Sequence, residues 1–307
     1  MIRRLSGLYH RNGAAMATFM LVGVAFWIVV LIVMPQLAML DFSLRLDLPP
    51  ARIGGPDDVY TLANYKFFLF GHPGNPDGWN FVDLRVFGRT IVAAGLVTLL
   101  NLAICYPIAY YLAQSASGGG ARAMAIALIV PYWINEILRA FAFRIIFGNS
   151  GVINFVLGGL GLTDQPIDFI RMDVARYAGL TYAYLLLMIF PLYNAIESLD
   201  RNQIEAARDL GAPWWRIHWR VVIPFAKPGI TSGCTMVFML AAGALAVPQV
   251  LGGPSSLWFT QLIYQSFFDY LNWARGAAYA IILLVTCTLV VLSMMRLFGV
   301  KLGEIGR

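Results

Sequence analysis

Charge is what this sequence has least of. Only 12% of its 307 residues are Asp, Glu, Lys or Arg, and 59% are hydrophobic, whereas a soluble domain carries about 25% charged residues. That is too little charge to cover a water-facing surface, so an ordinary soluble domain is excluded. Cysteine is scarce too. Cys105, Cys234 and Cys287 lie far apart in apolar runs without metal spacing, which excludes a disulfide framework and a cysteine-based zinc site and casts them as small core residues. His10, His72 and His218 fall in separate segments, so no metal or acid–base cluster forms from them. There is no Gly-x-x-x-x-Gly-Lys-Ser/Thr loop. The glycine run Gly118-Gly119-Gly120 lacks the following Lys-Ser/Thr and reads as a flexible turn.

What is present are long apolar runs. A bilayer core requires about 20 apolar residues in a helix. Ala14–Leu40, Thr90–Gln114, Tyr177–Ile196 and Gly276–Met295 each supply such a run, and so does Pro228–Leu251, where Gly252-Gly253-Pro254 ends the helix. A sixth run, Ala123–Phe147, carries Glu136, Arg139 and Arg144. About six transmembrane helices in an all-α integral membrane protein are thus expected. The first run is too long for a signal-peptide core and lacks a clear small-residue cleavage site, so it is expected to be retained.

The net charge of +6 and pI of about 9.3 do not imply nucleic acid. Arg3, Arg4, Arg11, Arg122, Arg201, Arg208, Arg216, Arg220, Lys227, Arg296, Lys301 and Arg307 fall on one side of the runs. Asp41, Asp47, Asp57, Asp58, Asp77, Asp83, Asp164, Asp168 and Asp173 fall on the other. The positive-inside rule then places both termini in the cytoplasm. The organisation expected is a cytoplasmic N-terminus over 1–13, a membrane domain over 14–295 with an outer loop over 41–85 and an inner loop over 197–229, and a cytoplasmic C-terminus over 296–307. The outer loop is rich in turn chemistry, including Asp47-Leu-Pro-Pro50, Gly54-Gly-Pro56 and His72-Pro-Gly-Asn-Pro76.

The inner loop is built as structure. Asp200 and Gln203 have the spacing of a capping box. Ile204, Ala207 and Leu210 recur at helical spacing, and Gly211 is placed as a C-cap. A second helix opens at Pro213 and carries Trp214, Trp215 and Trp219 beside Arg216 and Arg220, a combination suited to lipid headgroups. Small Ala206 and Ala207 permit close approach by a partner, and Glu205, Arg208 and Asp209 offer polar contacts. Two readings stand: a rigid rod docked on a partner, or a helix tucked against the protein's own inner face.

The stretch Glu205-Ala206-Ala207, Gly211 and Val221-Val222-Ile223-Pro224 resembles the EAA motif of ABC importer permeases, with Val221 and Ile223 as apolar replacements for its Ile and Leu. Ile129-Val-Pro-Tyr-Trp-Ile134 and Pro191-Leu-Tyr-Asn-Ala-Ile-Glu-Ser-Leu-Asp200 are similar to the first permease subunit of spermidine/putrescine uptake systems. The resemblance implies a type I importer fold in the bacterial inner membrane, with a coupling helix between spans four and five. It assigns Glu205, Ala206, Ala207, Arg208, Asp209 and Gly211 to ATPase coupling. It also implies a second permease subunit, heterodimeric with this one, two ATPase subunits that bind ATP and Mg, and a periplasmic solute-binding protein. No cofactor or metal is implied for the chain itself.

Candidates for the translocation path are Glu136, Trp133, Gln249 and Asp269. A charge at mid-membrane costs about 2.5–3.5 kcal/mol on insertion scales, so Glu136 either meets a cationic solute or pairs with Arg139 three residues on. Gly243-Ala-Leu-Ala-Val-Pro248 opens a helix, with Gln249 as its polar residue. Trp258, Phe259, Tyr264, Phe267, Phe268, Tyr270 and Trp273 read as an interfacial belt, with Asp269 their one carboxylate. Permeases for polyamines often carry an acid just before the Gly-Gly where this chain has Gln249-Val250-Leu251. The resemblance implies a polyamine or related amine as solute; the missing carboxylate weakens a di- or tri-cation assignment and leaves an amino acid derivative or quaternary amine as the alternative. An ion-coupled secondary transporter using Glu136, and an integral-membrane enzyme, rank below these; no nucleophile–base or metal motif supports the enzyme.

Overall fold

A computed structural model describes residues 13–49, 52, 54–56, 58–72, 78–115, 119–253 and 256–300. Outside the described residues lie Arg3, Arg4, His10 and Arg11, the turn residues Pro50, Asp57 and 73–77, Gly118, Pro254, and Lys301 and Arg307. Among the described residues every regular element is a helix, beside one isolated bridge between Arg45 and Tyr60. In chain order the helices are α1 (Ala15–Ser43), α2 (Ala63–Phe70), α3 (Phe81–Gln114), α4 (Gly119–Ile129), α5 (Glu136–Ile146) and α6 (Val152–Gly159). They continue as α7 (Val174–Glu197), α8 (Arg201–Asp209), α9 (Trp214–Ala242), α10 (Ala246–Leu251), α11 (Phe259–Phe268) and α12 (Trp273–Phe298).

Five of these, α1, α3, α7, α9 and α12, are long and apolar enough to cross a membrane. The expected sixth span is not one helix. A 3-10 turn over Val130–Trp133 follows α4, and Asn135 then caps α5, its side-chain oxygen accepting the N–H of Ile137 at 2.8 Å. Pro131 removes a backbone donor, and Asn135 supplies a start signal. Together they divide the run.

Three other boundaries move. α3 begins at Phe81, with Asn80 accepting the N–H of Asp83, so the outer loop ends before Asp83 and Arg85. α7 begins at Val174 and takes Arg176 inside it. The helix expected at Pro213 and the fifth span are one continuous rod, α9, with a π-turn at His218–Val222. Pro224 follows that turn and has no N–H to give, so a wider turn there forfeits little.

The chain divides into two compact units. The first comprises residues up to Gly78 together with Gln265–Ile282. In it α1 ends at Ser43, and α2 is hooked to that end. The Asn64 amide donates to the carbonyls of Ser43 at 3.0 Å and Arg45 at 2.8 Å, and the Tyr65 hydroxyl lies 2.8 Å from that of Ser43. Arg45 bridges Asp41 and Asp58, whose carboxylates raise its pKa above the ordinary value, Asp41 most.

The second unit comprises Trp79–Tyr264 and residues from Leu283 onward. Its core is a three-helix packing of α3, α7 and α9. Small residues set the spacing between α7 and α9: a Cβ on Gly229 would come within 2.4 Å of the Pro191 carbonyl oxygen. Cys105 and Cys234 are buried in this core, as expected for small core residues.

Candidate functional site

α8 is short, polar and capped at both ends. The Asp200 carboxylate accepts the N–H of Asn202 at 3.0 Å. It does not take the Gln203 N–H expected of a capping box, which goes instead to the Asp200 carbonyl. At the other end the N–H of Ala212 reaches the carbonyl of Ala207 at 3.0 Å, and that of Gly211 reaches Arg208 at 2.8 Å. That pair of bonds is a Schellman cap. It needs a left-handed residue, and Gly211 sits at φ +74° where a side chain would be strained.

Leu199 and Ile204 are buried, the two positions of a hydrophobic staple. Glu205, Ala206, Arg208 and Asp209 are exposed, and Ala207 is half-buried. Leu210 departs from the expectation that it shares the inward face with Ile204. It is 88% exposed, because the cap turns the chain away before the third repeat closes. Sequence reasoning used this apolar residue only as one of the helical repeats, yet the structure leaves it exposed at the end of the helix. Its signal was its place next to Gly211, where a helix stops and its last side chain is freed.

The base of α8 is braced. The Gln114 amide, at the end of α3, donates to the carbonyls of Ile196 at 2.8 Å and Leu199 at 3.2 Å, and Arg201 reaches the Ala113 carbonyl at 3.4 Å. Further along, His218 Nδ1 lies 2.8 Å from the Tyr106 hydroxyl, tying α9 to α3. Trp214, Trp215 and Trp219 are exposed, with Arg216 over the Trp215 ring at 5.4 Å.

The three charges of the divided run have separate fates. Glu136 and Arg139 make no ion pair among the described residues. The Arg139 guanidinium lies instead over the Tyr132 ring at 4.7 Å and near that of Tyr182 at 5.9 Å, with its Nε and one Nη lacking a hydrogen-bond partner. The Tyr rings satisfy its charge through their π faces and draw it away from Glu136. Glu136 opens α5, where the helix dipole favours a carboxylate. Arg144 donates to the Val250 carbonyl. The Tyr132 hydroxyl accepts the N–H of Leu186 at 2.9 Å and donates to the Ala183 carbonyl at 2.8 Å, so the Pro131-Tyr132 turn is pinned into the middle of α7.

The span expected to run to Leu251 ends earlier: α9 stops at Gly243, within the stretch expected to open a helix, and the half-helix α10 follows. Val247, Pro248 and Leu251 are buried while Gln249 is exposed. Trp133 is 83% exposed. Asp269, in the first unit, is exposed just after α11. Trp258 and Phe259 are not belt residues: both are fully buried, with the Trp258 Nε1–H donating to the Ala241 carbonyl at 3.2 Å.

The reason for that burial is a network that sequence reading missed. Asp173 has a left-handed backbone, φ 63°, and its carboxylate meets Arg89, lies 3.0 Å from Arg176 and accepts the Ser256 hydroxyl at 2.6 Å. Arg176 is completely buried. It lies 4.9 Å from the Trp258 ring and donates to the Ser256 carbonyl at 2.8 Å. Three segments thereby meet at one carboxylate: α3, the start of α7 and the loop that carries Ser256. The signal was Asp173-x-x-Arg176, overlooked because the apolar run was read from Tyr177.

A groove of about 670 Å³ runs between α7 and α9, lined by Pro191, Asn194, Ser198, Gly229 and Ser232. No group of three or more metal-ligating side chains occurs among the described residues.

Spanning helices, a helix interrupted at mid-run and an exposed, doubly capped rod between two spans define the class: a transport permease of the inner membrane. Residues 123–302 match the family of binding-protein-dependent transport system inner membrane components, and the chain belongs to that family. It is similar to the spermidine/putrescine transport system permease protein PotB of Escherichia coli K12, at 32% identity over 90% of this chain and 96% of that one. PotB of Haemophilus influenzae is 30% identical over 86% and 88% of the two chains. In structure the chain resembles a bacterial ABC transporter involved in alginate import, with a TM-score of 0.72, 17% identity and coverage of 96% and 98%. That likeness supports the type I permease fold.

Proposed function

We propose that this chain is the permease subunit of an ABC importer for a small organic amine, a polyamine or a close relative, delivered by a periplasmic solute-binding protein. The observation that carries the reading is α8: a capped polar rod, exposed along Glu205, Ala206, Arg208, Asp209 and Leu210 and braced to α3 through Gln114. Two ATPase subunits, which bind ATP and Mg, dock on it, and both termini lie on their side of the membrane. A second, non-identical permease subunit closes the groove beside Asn194 and Ser232. Glu136, Trp133, Gln249 and Asp269 serve the path. The chain itself holds no cofactor and performs no hydrolysis. The amine assignment is supported by the identity to spermidine/putrescine permeases over nine-tenths of the chain. An amino acid derivative or quaternary amine is the second reading, favoured by the uncharged Gln249.

The test is uptake into vesicles holding the chain with its permease, ATPase and binding-protein partners. Spermidine or putrescine should accumulate only with ATP on the ATPase side. Accumulation by the chain alone, driven by an ion gradient, would overturn the importer reading. ATP-driven uptake of amino acid derivatives or quaternary amines but not of polyamines would select the second solute class.

A further inference from the structure

Within the first unit, a cavity of about 610 Å³ is lined by Lys66, Phe67, His72, Asn272 and Arg275 among others. Lys66 and Arg275 bring two fixed positive charges, and no carboxylate lines the cavity among the described residues. Neither cation has an ion-pair partner among the described residues. The Arg275 guanidinium is held between rings, 5.1 Å from Phe67 and 4.9 Å from Tyr270, and its Nε is buried without a hydrogen-bond partner. Asn272 caps the same helix, accepting the Arg275 N–H at 2.8 Å. A fixed guanidinium with unspent donors, an ammonium and an imidazole around one hollow form a receptor for a compact anion with several acceptor oxygens.

The depth of the hollow says which anion. Arg275 is the third residue of the spanning helix α12, and Lys66 lies on α2, which Asn64 and Tyr65 hook to the last turn of the spanning helix α1. Both cations therefore stand at the level where spans leave the hydrocarbon. Around them Leu69, Phe70, Tyr270, Leu271 and Trp273 are exposed, an apolar and aromatic rim of the kind that sits among headgroups. We propose that this cavity binds the phosphate of a phospholipid headgroup, with Arg275 and Lys66 as its charge partners and Phe70 and Leu69 against the acyl chains.

The experiment uses the assembled transporter, stripped of lipid in detergent and titrated with phosphatidylglycerol while native mass spectrometry counts bound lipid. The intact protein should retain a phospholipid whose affinity falls about tenfold in Lys66→Gln and again in Arg275→Gln, the loss of one charge-assisted hydrogen bond each. Arg275→Lys should keep most of it. Lys66 and His72 are exposed, so Lys66→Gln and His72→Gln carry the test if Arg275→Gln does not fold. Unchanged lipid binding in these variants overturns the proposal. So does unchanged lipid binding with weakened affinity for the solute-binding protein, which would assign the cavity to an acidic protein surface.

Discussion

The Gln114 side-chain amide donates to the Ile196 carbonyl at 2.8 Å, joining the C-terminal ends of α3 and α7 just before the chain turns into α8. The Ile196 carbonyl, in the last turn of α7, also accepts the Leu199 N–H at 3.1 Å, and Gln114 takes the second lone pair of that oxygen. The same amide reaches Leu199, so one side chain holds both sides of the Ser198 turn. A force applied to α8 thus reaches two spans rather than one.

Gln114→Ala removes both bonds, each worth about 0.5–1.5 kcal/mol net. The expected result is a folded, membrane-inserted transporter in which ATP hydrolysed per solute moved rises severalfold. Parallel measurement of hydrolysis and uptake in vesicles checks this. An unchanged ratio would mean that α7 alone transmits the motion.

Leu210 is the strongest candidate contact on α8 after its capped polar residues. Burying a leucine side chain at an interface contributes about 1.5–3 kcal/mol. Leu210→Asp should therefore weaken ATPase-subunit association by at least tenfold without altering thermal stability of the permease, because the side chain touches little within its own chain. A bulky residue at half-buried Ala207, such as Ala207→Trp, should uncouple hydrolysis from uptake while the complex still assembles. Co-purification yield and coupled ATPase activity distinguish the two effects.

How much of this was legible beforehand depended on whether a feature is local. α8 was legible because caps, small residues and the Gly211 stop all act within ten residues. The stop at Gly243 was legible only in part: Gly243 and Pro248 marked a place where a helix opens, while the end of the span was read at Gly252. The divided run was not, because apolar composition over Ala123–Phe147 hides Pro131 and Asn135. Trp258 and Phe259 were misplaced because burial is a tertiary property: an aromatic segment beside a membrane border looks the same whether it faces headgroups or a buried guanidinium. Of the two readings of Glu136, the pairing with Arg139 does not form, since spacing on one helix says nothing of Tyr132 and Tyr182 waiting on other segments.

Asp173 and Arg176 permit a sharper test of the buried network. Removing one member of a buried pair costs about 3–5 kcal/mol, because the other charge is left without its partner. Asp173→Asn should lower the melting temperature of the detergent-solubilised protein substantially and release Ser256. Arg176→Met combined with Asp173→Asn should recover part of that loss, as apolar replacement of buried pairs is often neutral or better. A double variant as unstable as the sum of the two single ones would show that the members act independently.

The final prediction concerns the spacing of α7 and α9. At Gly229 an added Cβ would lie 2.4 Å from the Pro191 carbonyl oxygen and 2.5 Å from the Ala195 Cβ, atoms fixed to a helix backbone. At Gly233 the nearest atom is the Met188 sulfur at 2.7 Å, the middle of a side chain with three rotatable bonds. Overpacking of a tight core costs about 1–3 kcal/mol, and the cost is smaller where a flexible neighbour yields. Gly229→Ala should therefore destabilise the protein more than Gly233→Ala, and it should narrow the groove that Asn194 and Ser232 line. Thermal unfolding of the two variants ranks the first effect. Uptake at matched protein level reports the second, with Gly229→Ala expected to transport more slowly. Equal melting temperatures would mean that α9 slides past Pro191 without resistance, which would also remove the basis for a fixed groove.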